Sequence, residues 1–361
     1  MANNFCRYLS NGYRFQSNGT NLVYQPCCWF QRSIDILDHA KFNAEKEKIS
    51  EISGWTPDCA CCKQIEDSGV YGERSPRLRS FDVIPDKTTP DNIPVWIELT
   101  IDTTCNAACI ICGPHHSTTW EKQHIVHGVK NRHDFPDRTN PSLWLEKIQA
   151  LVSLDHVKSI SFLGGEPFLS PIPLQVLTLL KEINGNLSDI TVHFQTNGSV
   201  IPSYEIIEMI RECKLFKFNI SLDGVGTQFE YLRYPLKWHR ILKTIDYINN
   251  LKLPNIRNII LVTVSPLNVY YYDEVENWAY RTFDNVVINP NQAVGACALA
   301  KTPIKLRNTI LLKFDNNHPI AKMFSNLGYD NRSCIPYVEM LDKHRGLDWM
   351  TVFPEMTEYY R

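Results

Sequence analysis

From residue 95 onward the hydrophobic pattern alternates between two periods. Short runs rich in β-branched and aromatic residues occur at 95–101 (VWIELTI), 159–165 (SISFLGG), 190–196 (ITVHFQT), 216–222 (FKFNISL), 259–265 (IILVTVS) and 285–290 (NVVINP), and each predicts a strand. Between them, 172–184, 203–213, 239–251 and 273–282 place apolar residues at helical spacing, each long enough for the crossover of a right-handed βαβ unit. This alternation predicts an α/β fold with six parallel strands. Six such strands form either an open doubly wound sheet or a curved, incomplete barrel, and periodicity alone does not separate the two. In both, chemistry is expected at the C-terminal strand ends.

The flanks follow other patterns. Residues 1–94 show no βα rhythm; they carry two Gly/Asn-rich hairpin-like stretches, a helical pattern at 33–50 and six cysteines. Thin apolar content predicts a separate small module folded around metal. Segment 113–142 is polar and rich in histidine, an excursion expected to be lid-like or partly disordered. Residues 300–361 are expected to be mainly helical. The expected division is therefore 1–94, 95–299 and 300–361.

Composition narrows the function. With 37 basic and 39 acidic residues the formal net charge is -2, so no global field favours nucleic acid or an anionic membrane. No run approaches the roughly 20 apolar residues of a membrane span, and the N-terminus MANNFCRYLS lacks signal-peptide features. A cytoplasmic location is expected. The twelve cysteines then point to metal or redox chemistry rather than disulfides, and nine of them lie in the first 112 residues. Cys213, Cys297 and Cys334 stand singly and are expected to be small buried apolar residues.

The densest chemistry is CNAACIIC at 105–112, just after the first predicted strand. Cys105, Cys109 and Cys112 on one tight loop suit three corners of a cubane cluster, leaving one iron without a protein ligand. Structural zinc, which normally takes four ligands, and a redox-active CxxC pair are the other readings. After the second strand, Gly164 and Gly165 allow close backbone approach to a ligand, and Glu166 offers a carboxylate to an ammonium group. Ser221 and Asp223 end the fourth strand, where a hydroxyl and a carboxylate can meet ribose hydroxyls. Thr196 and Asn197 in QTNG suit either a pocket or a turn.

Together, the CxxxCxxC loop, FLGGEP, ISLDG and the six βα units resemble the radical S-adenosylmethionine (SAM) superfamily. The resemblance implies a partial (β/α)6 TIM-like barrel with a small N-terminal cysteine-rich iron–sulfur module and a helical C-terminal tail. It implies a [4Fe–4S] cluster on Cys105, Cys109 and Cys112, with the SAM amino and carboxylate groups on the open iron. It further implies cofactor contacts from Gly164, Gly165 and Glu166 (the family's GGE element), from Thr196 and Asn197, from Ser221 and Asp223 at the ribose, and from Asn289 at the adenine edge. Ile111 stands where the family usually has an aromatic residue, a departure at the adenine.

Cys6, Cys27, Cys59 and Cys62 form a second set within FCRYLSNG, QPCCWF and PDCACCKQIEDSG. Four thiolates would close a coordination shell, so this metal would be structural or electron-carrying, with zinc and iron–sulfur alike in sequence. Cys28 and Cys61 adjoin the set and could replace members of it. The pattern resembles the SPASM and twitch auxiliary-cluster modules of peptide-modifying radical enzymes, here preceding the barrel, and 229–238 and 341–355 look like a twitch-domain group. This implies a peptide or protein side chain as substrate and a reducing flavodoxin- or ferredoxin-type electron donor. A small molecule (sugar, nucleotide or amino-acid derivative) is the alternative substrate, and a non-catalytic zinc-binding scaffold the alternative outside enzymes. The histidines of 113–142 are expected to be solvated, Tyr270, Tyr271 and Tyr272 to pack, and Tyr231 and Arg233 to face the pocket mouth. No residue is identified as the acid or radical relay.

Overall fold

The computed structural model describes the chain apart from residues 1–4, 18–20, 37, 69–75, 85–89, 136–138, 326 and 361. All six expected parallel strands are present: β4 (Trp96–Thr100), β5 (Ser159–Phe162), β6 (Thr191–Thr196), β7 (Leu215–Ser221), β8 (Ile256–Val264) and β9 (Val286–Gln292). Three more precede them, β1 (Gly12–Ser17), β2 (Leu22–Gln25) and β3 (Ile34–Asp35). The sheet order is β3-β2-β1-β4-β5-β6-β7-β8-β9.

That order decides between the two architectures left open by periodicity. From β4 to β9 every strand lies beside its successor in sequence, and every pairing is parallel. A doubly wound sheet needs a reversal of order, whereas right-handed crossovers in unbroken order put every helix on one face, as in a barrel. β3 and β9 are the edges, so the barrel is incomplete.

The strand sequences obey this one-sided winding. The row Leu99, Phe162, Phe194 and Phe218 crosses four strands in register and is buried throughout. Beneath it pack the crossover helices, among them Tyr204–Glu212 with Ile206, Ile207 and Ile210 buried, and Trp238–Asn250 with Ile241, Thr244, Ile245 and Ile248 buried. Spacing of three and four positions gives each helix its apolar stripe. A fully buried isoleucine contributes about 2 kcal/mol. On the alternate face the strands carry Ser161, His193, Gln195, Lys217, Asn219 and Arg257, none of which a helix-covered surface would tolerate in such number.

The N-terminal segment, expected as a separate module, adds its three strands to the same sheet. β1 runs parallel to β4, with Arg14 opposite Glu98 and their side chains ion-paired at 2.6 Å. Gly12 begins that strand because a Cβ there would meet Pro26 O at 2.4 Å. Asn11 Nδ2 donates to Pro90 O at 2.8 Å and Ile93 O at 3.0 Å, tying the segment to the approach of β4. One apolar core accordingly runs from Cys6 to Met356.

The excursion at 113–142 is more ordered than its polarity predicts. Ser117 caps a helix at Thr118–Val126, with Trp120 buried against the sheet-end loop, and a second helix begins at Pro141; residues 136–138 lie outside the described residues. The C-terminal segment is helical as expected, with Ile304–Lys313, Pro319–Ser325 and Ile335–Arg345 its longer helices. Among the described residues no helix is long and apolar enough to cross a membrane.

Candidate functional site

The loop after β4 is held from behind by elements distant in sequence. Ala108 N donates to Tyr234 O at 2.6 Å and Ile110 N to Leu232 O at 2.9 Å. Arg345 Nη2 donates to Ala108 O at 2.8 Å, Tyr337 OH to Ile110 O at 3.1 Å, and Trp120 Nε1 to Cys109 O at 2.9 Å. The hydroxyls of Thr118 and Thr119 donate to Cys105 O. With its carbonyls satisfied in this way, the loop has one conformation in which to present Cys105, Cys109 and Cys112.

Two nitrogen donors and one carbonyl stand near these sulfurs, Cys112 Sγ lying 3.8 Å from Gly113 O. Arg233 Nη1 is 3.9 Å from Cys109 Sγ, and Asn197 Nδ2 is 4.0 Å from Cys105 Sγ. Burial pushes the Cys105 thiol up to about 11 and the Cys109 thiol up to about 12, with Arg233 opposing the shift at Cys109, and burial raises Cys112 as well. Free of metal, the three are thiols at neutral pH, and binding iron would release their protons. Among the described residues no three His, Cys, Asp or Glu side chains stand close enough to hold a single metal ion. Corners of a cubane bind separate irons and need not converge on one point. Three sulfurs with N–H donors behind them fit such a cluster.

Gly164 and Gly165 make the close approach expected of them, but toward backbone. A Cβ on Gly164, where φ is +120°, would stand 2.3 Å from Asp102 O, and one on Gly165 would stand 2.1 Å from Thr104 O. Gly165 N donates to Asp102 O at 3.0 Å and Glu166 N to Thr104 O at 2.8 Å, so the turn after β5 is laced to the residues leading into Cys105.

Glu166 is 1% exposed and accepts from Thr196 OH at 2.7 Å, Asn197 N at 2.7 Å and Phe168 N at 3.2 Å. Burial nevertheless raises its carboxyl to about 7, those hydrogen bonds opposing. Three donors leave part of its four-site acceptor capacity open to an ammonium group. Thr196 is fully buried and turned to Glu166, whereas Asn197 Nδ2 reaches Asn106 Oδ1 at 2.8 Å beside the first cysteine.

Asp223, expected at a ribose, has both carboxylate oxygens engaged within the protein. One carboxylate oxygen accepts from Thr263 N at 2.8 Å and the other is ion-paired with Arg233 Nη2 at 2.8 Å, both side chains almost fully buried. Arg233 is therefore not at a pocket mouth: it bridges Asp223 and Cys109. Tyr231 is equally internal, its hydroxyl donating to Asp342 at 2.6 Å. Ser221 remains at the strand end, and Asn289 stands on the same row two strands away through Leu261, at roughly 10 Å.

The second cysteine set also comes together. Cys6, Cys27, Cys59 and Cys62 are all buried and line one cavity with Phe5, Trp29 and Trp55. Cys28 is exposed and Cys61 half-buried, and neither lines it. Of the single cysteines, Cys297 and Cys334 lie buried beside each other, a proximity that nothing in their spacing announced. Tyr271 OH bonds Glu355 and Tyr272 is buried, so these rings pack. Missed altogether were Arg345, Tyr337 and Asn106 as supports of the cysteine loop; the resemblance of 341–355 was the one available signal, and it covered Arg345 alone.

Residues 100–276, which span β4 to the helix before β9, match the family model described as the Radical SAM superfamily. No curated protein sequence matches the chain. Among solved structures, anSMEcpe with bound AdoMet is 16% identical with a TM-score of 0.42, covering 65% of this chain and 62% of its own. SuiB of Streptococcus suis bound to S-adenosylmethionine is 12% identical with a TM-score of 0.40, covering 96% of this chain and 75% of its own. The chain thus spans less than two thirds of the length of anSMEcpe.

Proposed function

We propose that the protein is a radical SAM enzyme in which Cys105, Cys109 and Cys112 hold a [4Fe–4S] cluster. When bound, the reduced cluster and SAM would supply a 5′-deoxyadenosyl radical that removes a hydrogen atom from the substrate. The observation that carries this reading is the three-cysteine loop at the C-terminal end of β4, inside the segment that matches the Radical SAM superfamily model, with Arg233 and Asn197 directed at its sulfurs. Asp223 fixes Arg233, and Arg233 donates toward Cys109, lowering the electron density on that sulfur as hydrogen bonds to cluster ligands do. Glu166 accepts the SAM ammonium while holding the turn after β6, and Ser221 and Asn289 are the remaining polar groups for the nucleoside. The packed shell behind the loop keeps water from the reacting centre.

The substrate we propose is a peptide or protein side chain, and the four buried cysteines of the N-terminal segment hold an auxiliary iron–sulfur cluster. Convergence of Cys6, Cys27, Cys59 and Cys62 supports the second part; the peptide rests on the resemblance of that cysteine pattern to twitch and SPASM modules. A flavodoxin- or ferredoxin-type protein would deliver the electrons. Anaerobic reconstitution with iron and sulfide, dithionite reduction and addition of SAM tests the reaction: 5′-deoxyadenosine is released, and Cys109→Ala abolishes it. Release undiminished in that variant would sink the assignment.

A further inference from the structure

Two guanidinium groups flank the cysteine loop, and only one of them is neutralised within the protein. Arg233 is ion-paired with Asp223 at 2.8 Å, so the two together add no net charge beside Cys109. Arg345 is the last residue of the helix Ile335–Arg345, and its Nη2 donates to Ala108 O at 2.8 Å, on the residue before Cys109. Nη2 and Nε also donate to Gln123 Oε1, at 3.1 and 3.3 Å. The guanidinium carbon lies 4.8 Å from the ring centres of both Trp120 and Tyr234, residues that themselves bond the loop at Cys109 O and Ala108 N. Loop, helix and rings together fix where this charge stands.

Its counter-charge is missing. Among the described residues no carboxylate forms an ion pair with Arg345; its partners are a carbonyl, an amide and two aromatic rings, all formally neutral. Asp342, one turn earlier on the same helix, is engaged by Tyr231 OH at 2.6 Å and Trp349 N at 2.8 Å. Nη1 of Arg345 is buried without a hydrogen-bond partner. A cation taken from water needs an anion beside it. An iron–sulfur cluster on three thiolates is such an anion, and it gains a further negative charge on reduction.

We propose that Arg345 sets the reducibility of the cluster on Cys105, Cys109 and Cys112: its unneutralised charge, held against the loop, favours uptake of the electron. This rests on the reading of that loop as a [4Fe–4S] site. A unit charge about 10 Å from a redox centre biases a one-electron equilibrium by about tenfold at an effective dielectric constant of about 20. In the test, full-length, anaerobically reconstituted protein is poised with dithionite and mediators. The reduced cluster is quantified by electron paramagnetic resonance, through the signal that changes when SAM is added. Arg345→Gln should shift the equilibrium at least tenfold toward the oxidised cluster, about 59 mV for one electron. Arg345→Lys, which keeps the charge but not the planar fork, should recover most of that shift. Gln123→Glu keeps an acceptor for both hydrogen bonds from Arg345 and supplies the absent carboxylate. It should shift the equilibrium in the same direction, at least threefold, and it decides the matter with Arg345 in place if the Arg345 variants hold no iron. Lys343→Gln, which removes an exposed charge from the same turn, should change it less than twofold. An unchanged equilibrium in Arg345→Gln or Gln123→Glu, or equal shifts in Arg345→Gln and Arg345→Lys, overturns the proposal while leaving the cluster assignment standing. A parent protein without a SAM-responsive cluster removes that assignment and the proposal with it.

Discussion

Substituting Gly165 by alanine probes the contact on which the cysteine loop depends. The added Cβ would stand 2.1 Å from Thr104 O and 2.5 Å from its carbonyl carbon, both backbone atoms with no side-chain freedom to absorb the clash. Relief to normal van der Waals separation, about 3.5 Å between carbons, requires the two segments to part by about 1 Å. That movement breaks Gly165 N to Asp102 O and Glu166 N to Thr104 O. Two buried donors left unpaired cost about 1–3 kcal/mol each, so a loss of about 2–6 kcal/mol in unfolding free energy is expected. Because Thr104 adjoins Cys105, the displacement reaches the first sulfur, and 5′-deoxyadenosine release should fall at least tenfold. Gly128→Ala is the control: its φ is +65° but no atom lies within 4 Å of the new Cβ, so it should cost about 1 kcal/mol and leave release unchanged. Urea unfolding followed by circular dichroism gives the first quantity and chromatography of the nucleoside the second. If Gly165→Ala unfolds within 0.5 kcal/mol of the parent, on the order of an ordinary surface change, the close backbone contact is not what holds the loop.

The remaining predictions concern Glu166 and the second cysteine set. Burial raises Glu166 to about 7 from a usual value near 4.5, so in metal-free protein its contribution to stability is fully present below about pH 4.5 and lost as pH rises through 7. The unfolding free energy of the parent relative to Glu166→Gln should therefore fall by about 3 kcal/mol between pH 4.5 and 8; a flat difference across that range would contradict the burial argument. Cys62→Ala should lower iron content by about one cluster while sparing 5′-deoxyadenosine release, and loss of release would mean the two cysteine sets are not independent.

Much of the barrel was legible because its signals are local. All six parallel strands and four crossover helices follow from residue type and spacing, since one-sided winding imposes a strict apolar row under the helices. Strand order was not legible, because β-branched runs carry no record of their neighbours. That the N-terminal strands join the same sheet was not legible for the same reason: Arg14 and Glu98 pair across it, yet nothing in either sequence names the other. The cysteine loop itself was readable from its spacing, whereas its supports were not. Arg233, Tyr337 and Arg345 reach it from more than a hundred residues away, and the ion pair of Asp223 with Arg233 joins residues whose types alone do not name each other.

The two cysteine sets occupy opposite ends of the same strand, and this constrains any division of labour between them. Cys105, Cys109 and Cys112 follow the C-terminal end of β4. β1 starts level with Trp96, so Cys6, just upstream of it, and Cys27, just past the Pro26 carbonyl that touches Gly12, belong to the N-terminal end. The rise from Trp96 to Thr100 alone is roughly 13 Å. On the proposed reading, a substrate lying along the polar face of the sheet would lose its hydrogen atom near the cysteine loop while its remainder pointed toward the N-terminal mouth. The auxiliary site would then act on the substrate only through electron transfer across the barrel's height. That is why Cys62→Ala is expected to leave radical generation intact while stopping any product whose formation requires an electron to leave the substrate.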